Sequence, residues 1–153
     1  MEHELVIRKA IKADLETLLS FEQGIVETER PFDVTLKKSR INYYDLGNMI
    51  SDPDAFIAVA ELDHNIIASG YAIIKDAKPY LQHRQYSYLG FMYVVPEHRG
   101  KGINGKIFSA LRDWSHSRGI HEIRLDVYAK NQSAIRAYEK IGFELHLVEM
   151  RLK

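Results

Sequence analysis

The stretch 88–105, reading YLGFMYVVPEHRGKGING, limits what this chain can fold into more than any other. It starts as an apolar β-type run, turns at Pro96, and ends in Gly100, Gly102 and Gly105. These glycines open an amphipathic pattern with Ile103, Ile107, Leu111 and Trp114 on one stripe. A strand, a glycine turn and a helix in succession build an anion site. Glycine lets the backbone approach a ligand closely, and the first N–H groups of the helix, with the positive end of its dipole, face the charge held in the turn. Phosphate is the usual occupant.

The turn fits more than one template. Gly100, Gly102 and Gly105 satisfy the dinucleotide pattern G-x-G-x-x-G, and Asp126 falls about where a ribose-binding acid stands. Against that reading, Pro96, Glu97, His98 and Arg99 separate the strand from the glycines, and too little chain follows to build the rest of a dinucleotide fold. Residues 100–106 also match most of a P-loop, but Ile107 stands where a magnesium-binding hydroxyl is needed. A turn without ligand is the remaining alternative.

Composition narrows the function classes. A chain of 153 residues fits one domain, 1–153, with a single core. Its 21 basic and 21 acidic residues cancel, which argues against non-specific nucleic-acid binding. Without cysteine there is no disulfide, thiolate nucleophile or cysteine-ligated zinc. The start MEHELVIRKA lacks the layout of a signal peptide and no apolar run is long enough for a membrane span, so a cytoplasmic protein with no membrane partner is expected.

Taken in order, residues 4–9 alternate as an edge-like strand. A helix follows with Asp14 in its first turn and Leu15, Leu18, Leu19, Phe21, Ile25 and Val26 inward. The segment 27–33 is a loop broken at Pro31, and a less regular helix is expected over 35–50. Two strands, 55–62 and 66–74, flank Asp63, His64 and Asn65 as a hairpin turn. After a polar loop come a strand at 86–95, the glycine turn and its helix, capped by Gly119. A strand at 122–128, a short helix from Asn131 to Gly142, and a strand or hairpin at 143–152 complete the order β-α-α-β-β-β-α-β-α-β.

One family accounts for the residues between strand and glycines. Tyr93, Val94, Val95 and Pro96, then Arg99, Gly100, Lys101, Gly102 and Ile103, closely resemble the acetyl-coenzyme A signature of the GCN5-related N-acetyltransferase family. Asn131, Ala134, Ile135, Tyr138, Gly142 and Phe143 resemble its distal motif, Asn-x-x-Ala-x-x-x-Tyr-x-x-x-Gly-Phe. Strong likeness covers 88–143, and the two motifs together are far more specific than either alone. Asn104 departs from the pattern, which has Gly or Ala there. The resemblance implies an α/β (α+β) fold, a mixed and mostly antiparallel sheet with helices on both faces. It also implies acetyl-coenzyme A as co-substrate, with no metal.

By that resemblance the backbone from Arg99 to Asn104 holds the pyrophosphate, with Arg99 and Lys101 adding charge. Main chain around Met92 and Val94 receives the pantetheine arm, and Asn131 binds it further along. Met92 and Val94 are equally readable as core, and Asn131 as a helix cap. Tyr138 is the expected acid to the departing thiolate, although its spacing from Ile135 and Ile141 also suits a core tyrosine.

Acetyl transfer needs a neutral amine. A lysine-like amine of pKa about 10.4 costs roughly 4 to 5 kcal/mol to neutralise at pH 7, so a base helps. The glutamate of histone-acetylating relatives is replaced here by Tyr88, while the base position of relatives that acetylate protein N-termini carries Asp126. A salt-bridged or solvated aspartate is the plain alternative. By the same resemblance, Glu27, Glu29 and Phe32, with Tyr88, line the acceptor pocket; a solvated charged loop is the plain alternative for 27–33.

The expected function is acetyl transfer to a primary amine, on a small molecule or a peptide N-terminus, by direct attack, with a homodimer left open. The alternatives are a coenzyme A-binding sensor or structural protein without turnover and, behind it, a dinucleotide enzyme.

Overall fold

The computed structural model describes residues 4–153. A five-stranded sheet, β1 (Leu5–Lys9), β2 (Ala55–Leu62), β3 (Asn65–Asp76), β4 (Gln85–Val94) and β5 (Ile123–Leu125), lies in sequence order. The first four strands are antiparallel and β5 runs parallel to β4. That parallel step requires a crossover, which α3 (Ile103–Ser117) supplies. The other helices are α1 (Leu15–Glu29), α2 (Leu46–Ser51) and α4 (Gln132–Ile141).

The sheet is buried on both faces, and strand alternation decides which side chain serves which. Ile57 and Val59 of β2 join Leu18, Phe21, Ile25, Leu46 and Met49 under α1 and α2, while Ala58 and Ala60 meet Ile107 and Leu111 of α3. Full burial of such a Leu or Ile contributes roughly 1.5 to 3 kcal/mol. Small alanines on the α3 side let that helix sit close. Gly70 carries this further, because a Cβ there would stand 2.6 Å from both Ile107 Cγ2 and Met92 Sδ. Asp14, at the head of α1, is buried and grips Arg8 through two bonds of 2.8 and 3.0 Å, while also accepting the Ile11 N–H. Among the described residues no helix is long and apolar enough to cross a membrane.

The hairpin 55–76 forms as expected, with Asp63 and His64 in the left-handed region at its turn. Four expectations are corrected. The first helix runs on to Glu29, so Glu27 and Glu29 stand in its last turn rather than in a loop. The second helix covers only Leu46–Ser51, because the Tyr43 and Tyr44 N–H groups are taken at 2.8 Å by the fully buried Glu22 carboxylate and Asp45 caps the helix there. β5 stops at Leu125 instead of Tyr128. Residues 143–153 form no strand.

Candidate active site

β4 contains the feature that shapes the site. Its pairing with β3 slips between Ser69 and Tyr71, and Phe91 sits at φ 58 with its ring buried. Such a bulge inserts one residue and reverses the facing of everything beyond it. Accordingly Tyr88 and Phe91 share the α1 face, while Leu89 and Met92 share the α3 face. The Ser69 hydroxyl donates to the Phe91 carbonyl at 3.0 Å and holds the kink. Beyond it the ladder to β5 ends, at Leu89 opposite Leu125, and the two parallel strands part. Main chain of β4 from Gly90 onward is therefore released from β5.

The strand then delivers the chain to the glycine turn. Gly100 and Gly102 both adopt φ 78, a conformation that costs a side-chain-bearing residue about 1 to 2 kcal/mol, and a Cβ at either would meet nothing within 4 Å. These are open, left-handed positions at the mouth of α3, a concave backbone cradle suited to phosphate oxygens. Gly102 is the N-cap and Ile103, with its side chain buried, starts the helix. Arg99 donates from Nε to the Val94 carbonyl at 2.9 Å and lies over the Tyr93 ring, leaving its two terminal nitrogens directed elsewhere. That bond occupies the Val94 oxygen. Lys101 is exposed, 3.3 Å from His98 Nδ1, and Asn104 is half-buried in the first helical turn.

At the other side of the parted strands, Asn131 caps α4, its Oδ1 accepting the Ala134 N–H at 3.2 Å, so its amide nitrogen is what it can still offer a ligand. Tyr138, about two turns on, is half-buried, with its ring against Phe143. Burial first, and then the charge of Glu29, push its pKa up to about 12.

The carboxylates separate into distinct positions. Asp126 is exposed and accepts the Tyr88 hydroxyl at 2.9 Å, an arrangement that joins two of the predicted residues. The Lys75 ammonium lies over the Tyr88 ring. Glu27 points outward to Arg30, whose guanidinium also holds the Lys37 and Ser39 carbonyls. Glu29 is half-buried, and its pKa is raised: burial is the main cause, the Tyr43 hydroxyl works against it, and the charge of Asp33 adds to it. Its charge acts on Tyr43, Tyr44, Tyr128 and Tyr138. Phe32 stacks on Tyr128, whose hydroxyl donates to Asp33 at 2.6 Å.

Sequence reasoning therefore missed Asp33, Tyr43 and Tyr128. No motif marks them, since they come from three separate segments. Alternation could have offered Tyr128, which shares the parity of Asp126.

The geometry agrees with the comparisons. The sequence profile of the Acetyltransferase (GNAT) family matches residues 14–143. An L-methionine sulfoximine/L-methionine sulfone acetyltransferase of Salmonella typhimurium is 27% identical over 91% of this chain and 80% of its own length. An L-amino acid N-acyltransferase of Escherichia coli is also 27% identical, over 69% of this chain and 58% of its own. In fold, a predicted acetyltransferase from Clostridium acetobutylicum, crystallised with acetyl-coenzyme A, superposes with a TM-score of 0.75 over 98% of this chain and 96% of that one, at 22% identity. With both motifs seated on the elements that the signature requires, and a profile match spanning most of the sequence, the chain belongs to the GNAT family and is an N-acetyltransferase.

Proposed function

We propose that this chain moves acetyl from acetyl-coenzyme A to a primary amine of a small molecule by direct attack. The backbone of 99–104 and the free nitrogens of Arg99 bind the pyrophosphate, and main chain released from β5 after the Phe91 bulge receives the pantetheine arm. The open φ 78 positions at Gly100 and Gly102 fit that ligand, since any Cβ there would fill the cradle. The relatives that act on amino-acid substrates support a small amine acceptor.

In the reaction the amine nitrogen bonds to the thioester carbonyl carbon, the C–S bond breaks, and the sulfur leaves as thiolate. The amine's proton goes to a carboxylate and Tyr138 donates to the sulfur, giving amide and free thiol. Between Glu29 and Asp126, we assign the base to Glu29 and a positioning role, through Tyr88, to Asp126. The observation that carries this is the half-buried Glu29, whose charge reaches Tyr138, against an exposed Asp126 engaged by a hydroxyl. A carboxyl of raised pKa is the better base near neutrality.

The pairing has a further use. At a pKa of about 12, Tyr138 lies some 3.5 units above an ordinary thiol of about 8.5, so full transfer to the thiolate is uphill by roughly 5 kcal/mol. When Glu29 takes the amine's proton its charge disappears, and with it one of the two causes that hold the Tyr138 proton in place. Accepting one proton thus eases release of the other.

Turnover against pH, with an amino-acid amine as acceptor, tests the assignment. Glu29→Gln should lower kcat most near neutrality and recover in part at high pH, where the amine deprotonates unaided, while Asp126→Asn should lower it evenly across pH. The reverse pattern transfers the base to Asp126. Absence of thiol release across an amine panel, with coenzyme A still bound, would instead favour a sensor.

A further inference from the structure

On the α1 face, Tyr86 and Tyr88 of β4 stand opposite Lys75 and Ile73 of β3. Arg124 of β5 is the register partner of Tyr88 and shares that face, since its neighbours Ile123 and Leu125 pack toward α3. The Lys75 ammonium lies 4.2 Å from the centre of the Tyr88 ring, and the Arg124 guanidinium 5.5 Å from that of Tyr86. This end of the face is open: Tyr86, Tyr88 and Arg124 are half-buried and Lys75 is exposed.

Both cations have bonding capacity to spare. Among the described residues Lys75 makes no hydrogen bond or ion pair, only its contact with the Tyr88 ring. Arg124 gives its Nε to Glu122 at 3.0 Å, which leaves both terminal nitrogens without a protein partner. Asp126, next along β5, accepts the Tyr88 hydroxyl and pairs with neither cation. The rings fix cations that would otherwise move freely, so a ligand orders them at less cost.

The charges also have a direction. Toward the fork at Gly90 the order is Arg124 over Tyr86, Lys75 over Tyr88, then Asp126 at the Tyr88 hydroxyl. The Tyr71 hydroxyl marks the fork itself, because a Cβ at Gly90 would stand 2.6 Å from it. A zwitterion laid along Tyr88 with its carboxylate on the two cations therefore turns its amino end toward Asp126 and the parted strands.

We propose that Lys75 and Arg124 bind the carboxylate of the acceptor, which makes the substrate an α-amino acid with its carboxylate free. The inference rests on the reading of this chain as an acetyltransferase of small amines. An ammonium and a guanidinium meeting one carboxylate form charge-assisted hydrogen bonds, and Glu122 steadies the guanidinium through Nε. A polyamine offers these cations nothing and is repelled by them. A peptide N-terminus has an amide where the carboxylate should be.

Thiol release at saturating acetyl-coenzyme A, with the standard L-amino acids and their carboxamides as acceptors, tests this. Acids should be used with kcat/KM above that of their amides by about tenfold or more. That order runs against intrinsic reactivity, since a neighbouring carboxylate keeps the amine protonated to higher pH. Lys75→Gln and Arg124→Gln should each lower kcat/KM for acids by about tenfold, through KM, and change the use of amides far less. Lys75→Arg should keep most of the parent value, and raised salt should narrow the preference. Lys75 is exposed, so its variants should fold as the parent does. Amides used as well as acids, acids and amides lowered together, or an unchanged KM for acids in Lys75→Gln would overturn the proposal and leave acetyl transfer to amines standing. Absence of thiol release with every amine, coenzyme A still binding, would instead remove the reading beneath it.

Discussion

Gly102→Asp separates the role of the glycine turn as an anion cradle from its role in folding. Gly102 is the N-cap of α3 at φ 78, with open space where a Cβ would be. A side chain there costs about 1 to 2 kcal/mol in backbone strain, and an aspartate offsets part of that by capping the helix and opposing its dipole. Stability should therefore fall by only about 1 kcal/mol. The effect on ligand is larger. A carboxylate about 5 Å from each of two phosphate charges, at an effective dielectric constant between about 40 and 80, repels them by roughly 2 to 3 kcal/mol in total, and it also occupies the cradle. Coenzyme A affinity should drop about 30- to 150-fold.

Calorimetric titration with coenzyme A measures it, with Gly102→Ala as the control that carries the strain and not the charge. The difference between the two variants should shrink as salt is raised. A folded Gly102→Asp protein with unchanged affinity would refute the placement of the pyrophosphate.

Tyr138→Phe keeps the ring that packs on Phe143 and removes the hydroxyl, so coenzyme affinity should hold while turnover falls by roughly 10² or more; full turnover would reduce Tyr138 to packing. Asp14→Asn removes the charge gripped by Arg8 and should cost about 2 to 3 kcal/mol in denaturant unfolding at neutral pH. Arg8 first, and the Ile11 N–H after it, hold the Asp14 pKa below its ordinary 3.8. The stability it contributes is therefore complete above that value and lost as pH falls through the lower folded value, so the variant and parent curves should converge in acid. Gly70→Ala forces a methyl against Ile107 and Met92 and should destabilise by about 1 to 3 kcal/mol, visible as a lowered melting temperature; an unchanged one would mean that α3 can shift freely.

What could be read from sequence is what backbone geometry demands locally. The two motifs were legible because a phosphate cradle needs glycine at fixed offsets and the distal helix needs its cap, its inward residues and Gly142 in order. The hairpin at 55–76 was legible from its turn residues. The length of α2 was not, since it depends on Glu22, more than twenty residues away, taking the Tyr43 and Tyr44 N–H groups. Nor was the grouping of Glu29, Asp33, Tyr43 and Tyr128, which exists only once α1, the following loop and the segment after β5 are brought together. The tail misled for a different reason: its alternation reads as that of a strand, but residues 143–153 join no ladder of the sheet.

The bulge at Phe91 also bears on how this strand tolerates change in length. Because facing reverses there, residues 85–89 and 92–94 obey opposite parities, and Tyr93 reaches the α1 side, where it lies 4.8 Å from the Phe21 ring and fills the space left by Gly24. Losing one residue between Leu89 and Met92 would remove the extra residue and straighten the strand, leaving Met92 on the α3 face and Tyr93 on the α1 face. Losing two would exchange every side chain beyond the deletion, driving Tyr93 toward Ile107 and Met92 toward Phe21. A single-residue deletion at the bulge thus keeps the facing of the strand, whereas a two-residue deletion turns its far end inside out.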